Sequence, residues 1–221
     1  MKKLASLALG IVLLFALTAC GTTNGSSPSQ AESNSSDTKA VSETAEVNAS
    51  TNIQSNGLHK SGKVLIAYFS CTGNTKKIAG YIAKAMTADQ YEIIPEKPYS
   101  ADDLNYNNPK SRSSLEQKDD STRPVIAGKV DHMDEYDVVF IGYPIWWGQA
   151  PQIISTFLES YDFSEKTVIP FCTSGSSGIE DSVPKLKSRC SDKTTWLAGK
   201  RFGGNTEASE VEKWVNSLQL R

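Results

Sequence analysis

Apolar residues along the chain gather into short unbroken runs, each emptying into a small polar loop and then into apolar positions spaced three and four apart. The runs are Val64-Leu65-Ile66-Ala67-Tyr68-Phe69, Val138-Val139-Phe140-Ile141-Gly142-Tyr143 and Thr167-Val168-Ile169-Pro170-Phe171-Cys172. Runs of this length, rich in β-branched and large apolar residues, predict strands covered on both faces. After the first run, Ile78, Ala79, Ile82, Ala83 and Met86 share one helical stripe. Ile153, Ile154, Phe157 and Leu158 do the same after the second, with Pro151 suited to the first turn. Shorter runs predict a second strand at 91–95 and a fifth at 194–197. A helix ending near Arg189 starts either at a Ser177/Glu180 cap or around Pro184. A last helix carries Val211, Trp214, Val215 and Leu218 on one face behind a Ser209/Glu212 cap. Residues 96–123 form a long polar stretch in which Ser113 and Glu116 have the spacing of a capping box. Strand and helix alternate, which predicts an α/β domain with a parallel sheet between two helical layers.

The first sixty residues follow no such pattern. Lys2 and Lys3 precede an apolar run over 4–17 and small residues before Cys20, the layout of a secretory signal over 1–19. The run is short of the ~20 residues a membrane-spanning helix needs. Leu17-Thr18-Ala19-Cys20 resembles a bacterial lipobox, which implies a lipid on Cys20 and a protein held extracytoplasmically at the cell membrane. Residues 20–60 are mostly small and polar, too poor in large apolar groups to offset the entropy of ordering. As a coil this tether spans on the order of 30 to 40 Å. Residues 61–221 suffice for one domain.

Charge narrows the partners. The chain carries 23 basic and 25 acidic residues for a formal net charge of −2, and no nucleic-acid surface is indicated. Beyond Cys20 the cysteines are Cys71, Cys172 and Cys190, without metal-like spacing. The strand order implied by the resemblance described below puts Cys71 and Cys172 at ends of strands separated by another strand, too far apart to bridge, so the thiols are expected to be free. A nucleophilic role for Cys71 lacks a base nearby in sequence.

The chemistry sits in the loops. Ser70-Cys71-Thr72-Gly73-Asn74-Thr75 lies between a strand's carboxyl end and a helix's amino end, where unpaired N–H groups and the positive end of the helix dipole favour an anion. Ser70, Thr72, Asn74 and Thr75 add side-chain donors, and Gly73 lets the backbone approach a ligand. A capped helix start with no ligand is the plainer alternative. The loop lacks the Lys and spacing of a Walker A loop and the three glycines of a dinucleotide fingerprint. The second run ends in Pro144-Ile145-Trp146-Trp147-Gly148 and the third in Thr173-Ser174-Gly175-Ser176-Ser177-Gly178. Adjacent indoles after a proline do not both enter a core easily, although ordinary core is the usual place for a Trp.

These motifs, in this order, resemble the flavodoxin-like family. The resemblance implies a doubly wound three-layer sandwich around a five-stranded parallel sheet of order 2-1-3-4-5, with three loops meeting at one site. It implies noncovalent FMN: its phosphate on Ser70, Thr72, Gly73, Asn74 and Thr75, its ring system along Pro144, Ile145, Trp146, Trp147 and Gly148, and its pyrimidine edge on Thr173, Ser174, Gly175 and Gly178. The backbone near Trp147 and Gly148 would meet the flavin N5. Lys76 and Lys77 could approach the phosphate, Tyr106 and Arg112 could close the site from the long 96–123 stretch, and Glu180 and Asp181 could be catalytic carboxylates; the bland readings are solvated lysines, surface residues and a helix cap.

Two departures stand out: the domain is nearly neutral where small electron carriers of the family are strongly acidic, and its third loop has no aromatic or acidic residue to cover the flavin. The leading expectation is a tethered redox protein exchanging electrons with partner proteins or small acceptors. An FMN-dependent NAD(P)H:quinone or nitro-compound type reductase is the enzymatic alternative, and a non-redox binding module on the same scaffold the third.

Overall fold

The computed structural model describes residues 62–220; the expected signal segment over 1–19, Cys20 and the whole of the expected tether over 20–60 lie outside them. β1 (Lys63–Tyr68) is the strand on which both faces of the domain are built. Leu65, Ala67 and Phe69 join one core, while Ile66 and Tyr68 join the other, as the two-residue period of a strand dictates. α1 (Asn74–Met86) returns over the second face with Ile78, Ala79, Ile82 and Ala83 buried. β2 (Asp89–Glu92) lies parallel to β1 at the sheet's edge. β3 (Ile94–Pro95) then leaves the sheet and pairs antiparallel with β4 (Ile126–Ala127). Between them runs a strap that carries α2 (Arg112–Lys118).

β5 (Tyr136–Pro144) pairs with β1 on one side and with β6 (Thr167–Thr173) on the other. α3 (Gln152–Glu159) and α4 (Val183–Lys187) each follow one of these strands. β7 (Thr195–Trp196) and β8 (Lys200–Phe202) both run along β6, and α5 (Ala208–Ser217) packs beside α1. The sheet order is β2-β1-β5-β6-β7, with β8 paired to β6 above β7. Counting β7 and β8 as one interrupted strand, this is the expected doubly wound order.

Several local expectations are corrected. The second strand starts earlier than 91–95 and ends at Glu92; the Ile93 N–H to Tyr68 O bond (2.7 Å) is its last tie to β1. Its edge position leaves Asp89 and Gln90 exposed, which hides them from an apolar pattern. The last strand breaks at Gly199, where a Cβ would sit 2.6 Å from the Pro170 carbonyl oxygen. Ser111, not Ser113, caps α2, accepting from Ser114 N–H at 3.3 Å. The last helix begins at Ala208 behind Glu207, with no side-chain cap from Ser209. Pro184 sits in the first turn of α4, and Ser177 starts no helix.

Gly142 is required by packing. It faces Phe171 across the β5–β6 pairing, and a Cβ there would lie 2.1 Å from the ring's Cζ. Phe171 is fully buried and cannot swing away. Gly142→Ala is expected to destabilise the domain by about 1–3 kcal/mol, the cost of overpacking, read as a lower urea midpoint.

Candidate functional site

The loops after β1, β5 and β6 meet at the carboxyl edge of the sheet. They are joined directly: Thr75 Oγ1 and Thr173 Oγ1 lie 2.8 Å apart, Phe69 N–H donates to Gly142 O at 2.9 Å, and Ile145 N–H donates to Thr173 O at 3.0 Å. The first bond places the buried Thr75 between the first and third loops.

At the first loop, Gly73 occupies the N-cap position of α1 with φ 83°, and no side chain caps the helix. The first intrahelical bond is Lys77 N–H to Gly73 O, so the N–H groups of Asn74, Thr75 and Lys76 have no intrahelical acceptor. The Ser70 hydroxyl is buried with no hydrogen-bond partner. Nothing lies within 4 Å of where a Gly73 Cβ would stand. An uncapped helix end, an orphaned buried hydroxyl and open space above the glycine fit a phosphate group. Asn74 Nδ2 donates to Thr72 Oγ1 at 3.3 Å, so these two side chains share the rim. The lysines beside the loop are engaged elsewhere: Lys76 pairs with Glu92 at 2.7 Å and Lys77 donates to Gly204 O at 2.6 Å.

The second loop separates the two indoles. Trp146 is 2% exposed and packs edge-on against Phe69 and Tyr99, with centroids 5.6 and 5.3 Å away. Its ring belongs to the core and is not presented to a flavin, a correction to the expectation that it lines the ring system. Trp147 is 47% exposed. Trp147 and Gly148 both have positive φ, 47° and 77°, and the turn is closed by Trp146 N–H to Gln149 O and Gln149 N–H to Trp146 O, each 2.9 Å. This is the geometry of a two-residue type I′ turn. Pro144 and Ile145 continue from β5 beneath it.

The third loop is pinned by β8. Ser174 N–H donates to Phe202 O at 3.1 Å, and Arg201 Nη1 donates to Ser174 O at 3.0 Å. Gly175 has open space where a side chain would go, whereas Gly178 lies under the Glu180 carboxylate, 2.0 Å from an added Cβ. Asp181 contributes its backbone oxygen, accepting from Gln149 Nε2 at 3.1 Å.

The sequence offered the strap as a long polar stretch from which Tyr106 and Arg112 could close the site. It is folded onto the site. Tyr106 lies on Trp147, centroids 4.7 Å apart and rings tilted by 47°. The Arg112 guanidinium sits 4.0 Å over the Tyr99 ring and donates to Glu116 Oε1 at 2.6 Å, while the Tyr99 hydroxyl donates to the other oxygen of Glu116. Burial and the Glu116 carboxylate push the Tyr99 phenol well above its usual range. Gln117 Nε2 reaches the second loop, donating to Trp146 O at 2.9 Å and Ala150 O at 3.3 Å. No local pattern marks Gln117, because its acceptors lie far along the chain.

The thiols of Cys71, Cys172 and Cys190 are free. Desolvation by the surrounding protein pushes Cys71 up to about 12, with Arg112 pulling it down and Glu116 adding to the rise. Cys71 is exposed, and the direction of this shift, away from the thiolate, is opposite to that of an activated nucleophile.

The strap's far end is held by charge. Asp120 pairs with Lys185 and, at 2.7 Å, with Arg189; Arg123 forks onto Glu159 at 2.6 and 2.8 Å. The Lys185 hydrogen bond, followed by Arg189, holds the Asp120 carboxyl down at about 2, against opposition from desolvation. A depressed folded value stabilises the domain above the unfolded pKa near 4, and that stability is lost as pH falls through about 2. Asp120→Asn is expected to cost under about 1 kcal/mol at pH 6, given its exposure. The gap to wild type should close between about pH 4 and pH 2 in acid unfolding curves.

With this geometry in view, comparison with known proteins settles the family. A flavodoxin family model matches residues 63–218. The chain belongs to the flavodoxin family. A Bacteroides eggerthii structure assigned as a flavoprotein is 42% identical, with a TM-score of 0.67 over 72% of this chain and 99% of that one. One from Bacteroides uniformis is 43% identical, with a TM-score of 0.67 over 71% and 99%. A Lactobacillus acidophilus flavoprotein solved with FMN shares the fold at 24% identity and a TM-score of 0.53, over 70% and 99%. No curated protein sequence matches the chain. The match spans 99% of each Bacteroides chain, so in those proteins a fold of this extent is the whole solved chain.

Proposed function

We propose that this flavodoxin domain holds FMN noncovalently across its three loops and that the chain passes electrons at the outer face of the cytoplasmic membrane, tethered through a lipid on Cys20. The observation that carries the reading is the uncapped α1 N-terminus with the orphaned Ser70 hydroxyl beside it. Ser70, Thr72, Gly73, Asn74 and Thr75 would bind the phosphate with neutral donors. Trp147 would cover the ring system, with Pro144, Ile145 and Gly148 alongside, and Thr173, Ser174, Gly175 and Gly178 would face the pyrimidine edge. FMN supplies reversible electron or hydride uptake when bound. The protein's part is to orient it, and its neutral walls disfavour added negative charge. The tether and its extracytoplasmic location rest on the Lys2–Cys20 pattern; the partners are redox proteins or small electron acceptors.

The second reading is an FMN-dependent reductase of a small acceptor, and the exposed Tyr106–Trp147 pair favours it by offering a neutral aromatic surface. Titration of the domain with FMN, followed by flavin and Trp fluorescence, tests the common ground. Saturable one-to-one quenching is expected; no binding by folded protein would sink both readings. Steady oxidation of NAD(P)H by the loaded protein with a quinone would select the reductase.

A further inference from the structure

Trp147 pays a conformational penalty that its own sequence does not relieve. A bulky residue at positive φ is disfavoured by roughly 1–2 kcal/mol, and two-residue turns of this type favour Asn-Gly or Gly-Gly. Such a conformation persists where its surroundings over-determine it. Here they do so from the strap. Gln117 Nε2 donates to Trp146 O and Ala150 O, which bracket the turn. Trp146 O also accepts from Gln149 N–H, so both its lone pairs are used and the peptide entering Trp147 is fixed. Two carbonyl acceptors require the Gln117 nitrogen, not its oxygen, on that side. The Gln117 oxygen is buried without a partner. Tyr106 holds the Trp147 ring from the same strap, and Gln149 Nε2 ties the turn to the third loop through Asp181 O.

We infer that Gln117 is a positioning residue: from the strap it holds the left-handed Trp147–Gly148 turn in one orientation and so sets how differently the protein binds oxidised and reduced FMN. The inference rests on the FMN reading above. The physical reason is that a peptide bond beside the ring that gains charge and a proton on reduction favours one redox form when it cannot turn and adapts to both when it can. A carboxamide bonded to two carbonyls is a side chain that removes that freedom without touching the cofactor.

Two near-isosteric variants test this: Gln117→Met, which removes the donors, and Gln117→Glu, which sets a carboxylate against the carbonyls. In the FMN-free domain, exchange of the Trp146 and Gln149 amides should rise about tenfold or more, while β1 and β5 amides keep their protection. In the FMN-loaded domain, the ratio of affinities for oxidised and reduced flavin should change about tenfold, equivalent to about 30 mV in the two-electron midpoint. Faster exchange with an unchanged ratio would make Gln117 merely structural and overturn the inference. Unchanged exchange in both variants would overturn it as well. If wild-type protein binds no FMN, both the inference and the reading beneath it fall, and the FMN titration of wild type tells that outcome from the first two. Loss of fold in one variant leaves the other to decide.

Discussion

Trp146→Ala is expected to destabilise the FMN-free domain by about 3–5 kcal/mol, whereas Trp147→Ala, one residue on, is expected to cost at most about 1 kcal/mol. The first removes a fully buried indole that packs edge-on against Phe69 and Tyr99. Phe69 directly follows β1 and Tyr99 belongs to the strap, so the cavity opens where sheet and strap meet. The second removes a ring that is half exposed and touches Tyr106. Their effects on the cofactor should invert. Trp147→Ala should weaken FMN binding about tenfold through lost burial and stacking, while Trp146→Ala should act on FMN only as far as it loosens the turn. Urea unfolding followed by far-UV circular dichroism reads stability without relying on the deleted fluorophore. Equal stability losses for the two variants would contradict the division of the pair.

Thr72→Asp is expected to weaken FMN binding by at least about thirtyfold. Two unit charges 4 Å apart repel by about 4 kcal/mol at an effective dielectric near 20, and half of that already gives such a loss. Thr72 is exposed at the loop's rim, and its hydroxyl accepts from Asn74 Nδ2. Asp accepts the same bond, so the fold should be unaffected and the change should appear in affinity alone. Added salt should recover part of the loss. Affinity equal to wild type would mean that the phosphate is not held at this loop.

The strap's contribution extends these points. A segment of mixed charge and several turns is tied down by Gln117 at the second loop, by the Arg112–Glu116–Tyr99 cluster near the first, and by Asp120 and Arg123 on α3 and α4. Apart from Arg112–Glu116, an i,i+4 pair within α2, each tie joins residues that no local pattern relates. Through Tyr106 the strap covers part of the Trp147 ring.

The alternation of apolar runs with helical stripes was enough to determine the layered α/β architecture, whereas the sheet order came only with the resemblance of the loop motifs to the flavodoxin-like family. Burial on both faces of a central strand, and on one stripe of a helix, is written into periods of two and about 3.6 residues. The Ser70–Thr75 loop was legible for the same reason, since a strand that ends where a helix begins exposes donors whatever surrounds it. Edge and partition were decided elsewhere. β2 was misplaced because an edge strand buries little, and the last strand broke at Gly199 because the Pro170 carbonyl occupies the space a side chain would need. Which of two adjacent indoles turns inward depends on the room left by Phe69 and Tyr99, and which residue steadies the exposed one depends on a glutamine that only tertiary packing brings to the turn.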